Sequence, residues 1–364
     1  MTVAAAPAPT PAPPPRGNLL QRLSPAAKRW IALGTWVVAT ALIAVAFHAI
    51  GWQRTVHALR QASVPWLAAA ALSNLSILVL WAWQSLVFLP DDCRVSFGRM
   101  FEVTALTTTA TNTAPAFLGQ AAGVGLLAER GGVGMAVALS VLAQHQMVEG
   151  IAKLAMLFVA AHVAPLPRWM HDALVGMTIG VVVLIVVLVV SAVSSSRRMR
   201  ARTVVSETHG APEHERRVRP RANRLARLRT FLENWAASLV SLRSPGRFAL
   251  GLLIALLMKL AEAGGWFAVE RAFGVSPAAG SPFLALAAVN IASAASASPG
   301  NLGVYEAAGF FVYTYLHVPR DVAFALSVAG HLCYLLPLAG CGWLLLSWEE
   351  IRGLLVRRRS SAAA

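Results

Sequence analysis

Lysine occurs only three times in the 364 residues, at Lys28, Lys153 and Lys259. Two of these fall inside long apolar stretches, each with a carboxylate one helical turn away. Glu149 precedes Lys153 by four residues, and Glu262 follows Lys259 by three. Both spacings put the pair on one helix face. His145, beside Gln146, lies one turn before Glu149, so a polar stripe His145–Glu149–Lys153 runs along one helix. An ionisable group at mid-bilayer costs at least ~2.5–3.5 kcal/mol on insertion scales, so it usually faces a cavity and marks a pathway. The competing reading is a neutralised pair that only ties helices together.

A second group of residues sits at a chain break. Ala297-Ser298-Pro299-Gly300-Asn301-Leu302-Gly303-Val304-Tyr305-Glu306 interrupts two apolar runs with proline, glycine, an amide and a carboxylate. At membrane depth such irregular backbone survives only when buried in protein or lining a wet cavity. The same order occurs upstream. Pro115 to Gly119 reads P-x-x-L-G, as does Pro299 to Gly303, and each is followed by Ala-Ala-Gly, then Ala-Leu-Ser-Val, then a histidine, His145 or His331. Four matches in one order indicate an internal repeat. Half-helices beginning after Pro115 and after Pro299 would aim free N–H groups inward, a suitable arrangement for a phosphate. Asn112, Gln120, Asn301, Tyr305 and Glu306 flank these breaks and complete the candidate substrate-binding set. Pro115, Gly119, Pro299, Gly300 and Gly303 are read as its structural breaks. Glu306 is equally suited to stabilise the positive end of the helix that follows it, and His331 reads as a packed polar residue.

Other reactive types carry no pattern. His209, His214, Glu213 and Glu215 share a polar loop but do not form the H-E-x-x-H helix signature. Cys93, Cys333 and Cys341 have neither metal-ligand nor disulfide-framework spacing. No phosphate-binding Walker loop, dinucleotide fingerprint or G-x-S-x-G elbow occurs. The sequence therefore implies no cofactor and no metal, and gives no reason to expect an ATPase or a soluble catalytic domain.

The elements that must position these residues are membrane helices. The chain is 57% hydrophobic and 13% charged, with mean hydropathy +0.61, whereas soluble domains carry about 25% charged residues. Six crossing spans are expected, at 30–50, 65–89, 133–163, 173–193, 248–273 and 322–348. The net charge of +15 is concentrated between spans, where cytoplasmic loops collect arginine and lysine, and a nucleic-acid partner is accordingly rejected. Residues 197–229 alone hold eleven arginines. With that loop and the basic tail inside, both termini are expected in the cytoplasm, and parity then leaves 101–128 and 282–317 without a net crossing. Each reads as a re-entrant helical hairpin with limbs of ~14 residues, short of the ~20 that span. The two enter from opposite faces, the arrangement of an inverted repeat with a site near the midplane. The division expected is a disordered, Pro/Ala-rich and basic segment 1–29, a first membrane half 30–196, a cytoplasmic Arg-rich loop 197–246, a second membrane half 247–350 and a basic tail 351–364. Within the loop, Leu225, Leu228, Leu232, Trp235 and Leu239 recur at helical spacing opposite arginines, as in an interfacial helix on anionic lipid headgroups.

The run Pro299 to Ala308 resembles the P-G-G-L-G-V-x-E-A motif of the lysylphosphatidylglycerol synthase transmembrane, or flippase-like, family. Asn112 to Pro115 with Leu118-Gly119-Gln120 is similar to that family's upstream N-x-x-P-x-x-x-G-E-x-x-R segment. The likeness runs from about residue 30 to 350. It implies an all-α bacterial inner-membrane protein that translocates a lipid, whether phospholipid, hopanoid or prenyl-linked, with a lipid-synthesis enzyme as a possible partner. Gln120 stands where the family has Glu, Gly123 where it has Arg, and Asn301 replaces the second glycine, departures that imply a less charged substrate. His331 ahead of Tyr334-Leu335-Leu336-Pro337 is similar to the hopanoid-associated branch. Two other functions fit the same residues: a membrane-embedded enzyme acting on a lipid-linked substrate, and a non-catalytic membrane subunit that holds a partner through its Arg-rich loop.

Overall fold

The computed structural model describes residues 52–114, 116–164, 167–187 apart from 171 and 184, 244–294 and 298–362. The expected crossing at 30–50, the segment 1–29, Pro115 and the Arg-rich loop with its amphipathic run lie outside the described residues. Within them the secondary structure is wholly helical. The helices are α1 (Trp52–Gln61), α2 (Val64–Val87), α3 (Phe97–Thr113), α4 (Ala116–Arg130) and α5 (Met135–Val163), then α6 (Arg168–Val187). After the loop come α7 (Pro245–Ala272), α8 (Ser281–Ala294), a short 3-10 turn (Pro299–Asn301), α9 (Val304–Tyr315) and α10 (Arg320–Ala362). Five of them, α2, α5, α6, α7 and the Arg320–Trp348 part of α10, are long and apolar enough to cross a membrane. Four of them match expected spans to within about three residues, close to the usual uncertainty of helix ends; α6 starts five residues before the expected 173–193, whose last six residues lie outside the described residues.

Why these segments stay helical is plain from composition. Their backbone polar groups close within the helix, the only way a single apolar segment can satisfy them in lipid. Prolines at helix starts (Pro65 in α2, Pro245 in α7) fill positions where the missing N–H costs nothing. Large side chains such as Leu72, Phe311, Leu336, Leu344 and Trp348 are exposed on the outer surface, as lipid-facing residues would be. Among the described residues before the tail, arginine shows no bias. Arg94, Arg99, Arg130 and Arg247 lie towards one end of the bundle, and Arg60, Arg168, Arg271 and Arg320 towards the other. The orientation argument therefore rests on 197–229 and the tail.

Between the long helices are two helical hairpins. In the first, α3 and α4 run antiparallel. A Cβ on Gly119 would lie 2.2 Å from the Thr111 Cα, and one on Gly123 would lie 2.4 Å from the Thr107 methyl. At the base, Arg130 pairs with Glu102 at 2.5 Å. Gly119 is thus helical, four residues into α4, and its part in the expected break is corrected: it is the small residue that lets two backbones approach. In the second hairpin, the Tyr313 hydroxyl near the end of α9 donates to Glu270 of α7 at 2.8 Å, and the Ser281 hydroxyl at the start of α8 donates to the Ala278 carbonyl at 2.7 Å.

The bases of the hairpins lie at opposite ends of the bundle. The first sits by the end where Arg247 donates to the Leu89 carbonyl at 3.3 Å. The second sits by the end where the Ser63 N–H donates to the Ala272 carbonyl at 2.8 Å. Their tips meet inside. Gly300 has φ +58°, and a Cβ there would lie 2.8 Å from the Asn112 carbonyl oxygen. Helix α10 passes both tips. The Thr108 and Thr109 hydroxyls donate to the Leu338 and Ala339 carbonyls at 3.1 and 2.7 Å, just beyond Pro337. Two apolar clusters pack around this junction, one centred on α2, α5 and the first half of α7, the other on the second half of α7 with α8, α9 and α10.

Candidate functional site

The two charged pairs read from sequence form one network. Lys153 Nζ is 2.8 Å from Glu149 Oε1, and Lys259 Nζ is 2.6 Å from Glu262 Oε1. Lys259 also reaches across from α7 to α5, standing 3.6 Å from Glu149 Oε1. It is almost wholly buried, with 5% of its side chain exposed, while Lys153 keeps 30%. A buried cation is tolerable only when paired, since an unmatched one carries a desolvation penalty of several kcal/mol. Here each lysine has a carboxylate at contact distance.

His145 extends the network towards α2. Its Nδ1 donates to Gln84 Oε1 at 2.5 Å, and its Nε2 lies 3.4 Å from Glu149. Gln84 is oriented by its other end, because its amide donates to the Gly251 carbonyl at 2.7 Å. The Trp81 ring stacks on the imidazole with centroids 4.8 Å apart and planes 7° apart. Gln84 escaped the sequence reading, since a single glutamine in an apolar run has no partner visible in the chain order.

These groups wall a cavity of about 600 Å³ that lies along the first hairpin and reaches its tip. His145, Gln146, Glu149 and Lys153 come from α5, Lys259 and Glu262 from α7. Thr104, Thr107, Thr108, Thr111 and Asn112 of α3 face Gln120 of α4, and Ser298 and Asn301 of the 3-10 turn close the tip, with Tyr334 of α10 beside them. From Met100 to Asn112 the lining of α3 extends for about 18 Å at 1.5 Å per residue. Ser85 and Ser293, unremarkable in sequence, are lining residues too.

Two sequence candidates are not at the cavity. Glu306 and Tyr305 lie behind the turn. Glu306 accepts from the Gly303 N–H at 2.8 Å and from His331 Nδ1 at 2.7 Å. His331 Nε2 donates in turn to the Gly300 carbonyl at 2.9 Å. Tyr305 stacks on His331 at 4.3 Å and on Trp266 at 5.4 Å. Glu306 therefore acts as the first-turn carboxylate of α9, and His331 as the clamp that holds the turn. The turn needs such a clamp because Gly300, Asn301 and Gly303 all have positive φ, a region that non-glycine residues enter at a cost, asparagine least among them. Gly303 also begins α9 as its cap.

The tertiary arrangement repeats beyond the sequence motifs. In the first half Trp81 of α2 covers His145 of α5; in the second, Tyr305 of α9, itself stacked on Trp266 of α7, covers His331 of α10. Around the second histidine, aromatic rings fill the space, with Tyr313 also against Trp266 at 5.8 Å. Around the first histidine the corresponding space is the cavity.

Long apolar helices, lipid-facing hydrophobic side chains and an internal ionic network beside a polar cavity define a polytopic helical membrane protein. Residues 31–342 match the family model of the lysylphosphatidylglycerol synthase TM region, and the chain belongs to that family. Membership makes it a multi-pass membrane protein involved in lipid handling. No curated protein matches the chain.

Proposed function

We propose that the protein is a lipid translocator, not an enzyme, and that it passes a polar headgroup through the cavity between the two hairpin tips while the acyl chains stay in the bilayer. In this reading the hairpins are re-entrant, the first from the cytoplasm and the second from the outer face, and the termini and the Arg-rich loop are cytoplasmic. The observation that carries the proposal is the placement of a polar, ion-lined cavity where two oppositely directed hairpins touch. Transporters with inverted repeats place their sites at such a junction.

The asymmetry of the two halves supports a defined state. The cavity extends from the first hairpin's base to its tip, and the aromatic group Trp266–Tyr305–Tyr313 occupies the equivalent space in the other half. This is an arrangement open along the cytoplasmic half and sealed along the outer half. Exchange would require the second hairpin to rearrange about the Gly300–Gly303 turn.

The test is leaflet exchange of a fluorescent lipid in vesicles containing the purified protein, against protein-free vesicles. Faster exchange with the protein, slowed by Lys259→Met, is the expected result. Equal exchange in both kinds of vesicle overturns the proposal.

A further inference from the structure

The hydrogen-bonding state of the cavity wall points to a kind of headgroup. Three of the four cavity-lining threonine hydroxyls on α3 have already used their protons. Thr107 donates to the Val103 carbonyl at 2.7 Å, Thr111 donates to the Thr107 carbonyl at 2.8 Å, and Thr108 shares its one proton between the Ala105 and Leu338 carbonyls at 2.8 and 3.1 Å. The Asn112 amide nitrogen donates to the Thr108 carbonyl at 2.9 Å, which leaves its oxygen as the group free to accept. A hydroxyl whose proton is committed can only accept, since it has one donor and two lone pairs. Along Thr107, Thr108, Thr111 and Asn112 this side of the cavity is thus a row of acceptors.

The ionic side, among the described residues, offers no spare cation. Lys153 is held by Glu149, and Lys259 by Glu262 with Glu149 nearby. The fixed charges on the described wall are two lysines and two glutamates, without an arginine. A bare phosphate would add an unmatched negative charge to a wall whose two lysines are already neutralised by two carboxylates. A zwitterion would have to break an ion pair. A polyhydroxylated, uncharged headgroup meets neither obstacle. Its O–H groups donate to the threonine and asparagine oxygens and to the carboxylates, and its own oxygens accept from the ammonium groups without separating the pairs.

Resting on the translocator reading, we infer that this cavity selects lipids with an uncharged, hydroxyl-rich headgroup, such as a single sugar or a polyol, over lipids with an exposed phosphate. Its volume of about 600 Å³ falls in the ~300–1,000 Å³ range of small-molecule sites.

The experiment measures exchange of three acyl-labelled probes in vesicles containing the full-length protein: monoglucosyl diacylglycerol, phosphatidic acid and phosphatidylethanolamine. The glucosyl lipid should exchange at least about tenfold faster than either phospholipid, a difference equivalent to ~1.4 kcal/mol. Glu262→Gln should narrow or reverse that order, because it removes the nearer carboxylate of Lys259 and leaves two lysines against one glutamate on the described wall. Thr107→Val, which keeps the side-chain shape and removes an acceptor, should slow the glucosyl lipid selectively. Equal or faster exchange of phosphatidic acid or phosphatidylethanolamine overturns this inference and leaves translocation standing. No exchange of any probe overturns both.

Discussion

Replacing Gly300 with alanine should loosen the contact between the two hairpin tips, and the size of the effect can be worked out. Gly300 has φ +58°, and an L-residue held in that region costs ~1–2 kcal/mol. Its new Cβ would also lie 2.8 Å from the Asn112 carbonyl oxygen. The obstacle is backbone, so it cannot rotate away, and forcing one extra carbon into packed structure costs ~1–3 kcal/mol. Gly132 provides the control. It has φ +68°, and a methyl added there would meet nothing within 4 Å, so Gly132→Ala should incur the conformational cost alone. The difference between the two variants, about 1–3 kcal/mol, measures the tip contact and corresponds to roughly 1–4 °C in melting temperature for a chain of this length. Thermal unfolding of both purified proteins in the same detergent reads it. Equal losses for Gly300→Ala and Gly132→Ala would refute the tip-to-tip arrangement.

Removing His331 takes one partner from Glu306 and the only described clamp on the Gly300 carbonyl, so His331→Ala should cost ~2–4 kcal/mol. A double-mutant cycle with Glu306→Gln, followed by thermal unfolding, should show a coupling of ~1–3 kcal/mol; additive effects would argue against the clamp. Lys259 keeps one carboxylate in both Glu149→Gln and Glu262→Gln, so each should fold, with Glu149→Gln the costlier because it also takes the carboxylate of the partly exposed Lys153. The double variant leaves it with neither of these two, and its loss of stability should exceed the sum of the singles by ~1–3 kcal/mol. Thr107→Cys should react with a small membrane-impermeant thiol reagent from the cytoplasmic side, whereas Tyr305→Cys, behind the turn, should stay protected in folded protein.

The repeat of P-x-x-L-G with its trailing histidine was enough to expect two hairpins, because proline and glycine act locally and leave a signature in chain order. The structure has two hairpins whose bases lie at opposite bundle ends. The i,i+4 pair Glu149–Lys153 and the i,i+3 pair Lys259–Glu262 were legible for the same reason: helical periodicity alone decides them. What periodicity cannot decide is which helices face each other. The joining of the two pairs through Lys259 and Glu149 depends on α5 packing against α7, and so does the role of Gln84 in holding His145. Glu306 shows the opposite failure. Its position after the break suited both a wet site and a helix cap, and only the placement of His331 from α10, 25 residues later, decides for the cap. The threonines of α3 stand close together in the chain, but the acceptor character of Thr107, Thr108 and Thr111 follows from hydroxyls turned back onto the preceding turn, which no spacing reveals.

The central claim is that the headgroup passes through the cavity and not around the protein. Gln146 lines that cavity from α5 and is only partly buried, so Gln146→Trp should occupy the space without breaking an ion pair. Leaflet exchange of monoglucosyl diacylglycerol in vesicles, measured on a variant that melts at the wild-type temperature, is the decisive comparison. The account predicts a loss of at least about tenfold in rate, the effect of raising the barrier by ~1.4 kcal/mol. Wild-type exchange by the folded tryptophan variant would contradict it.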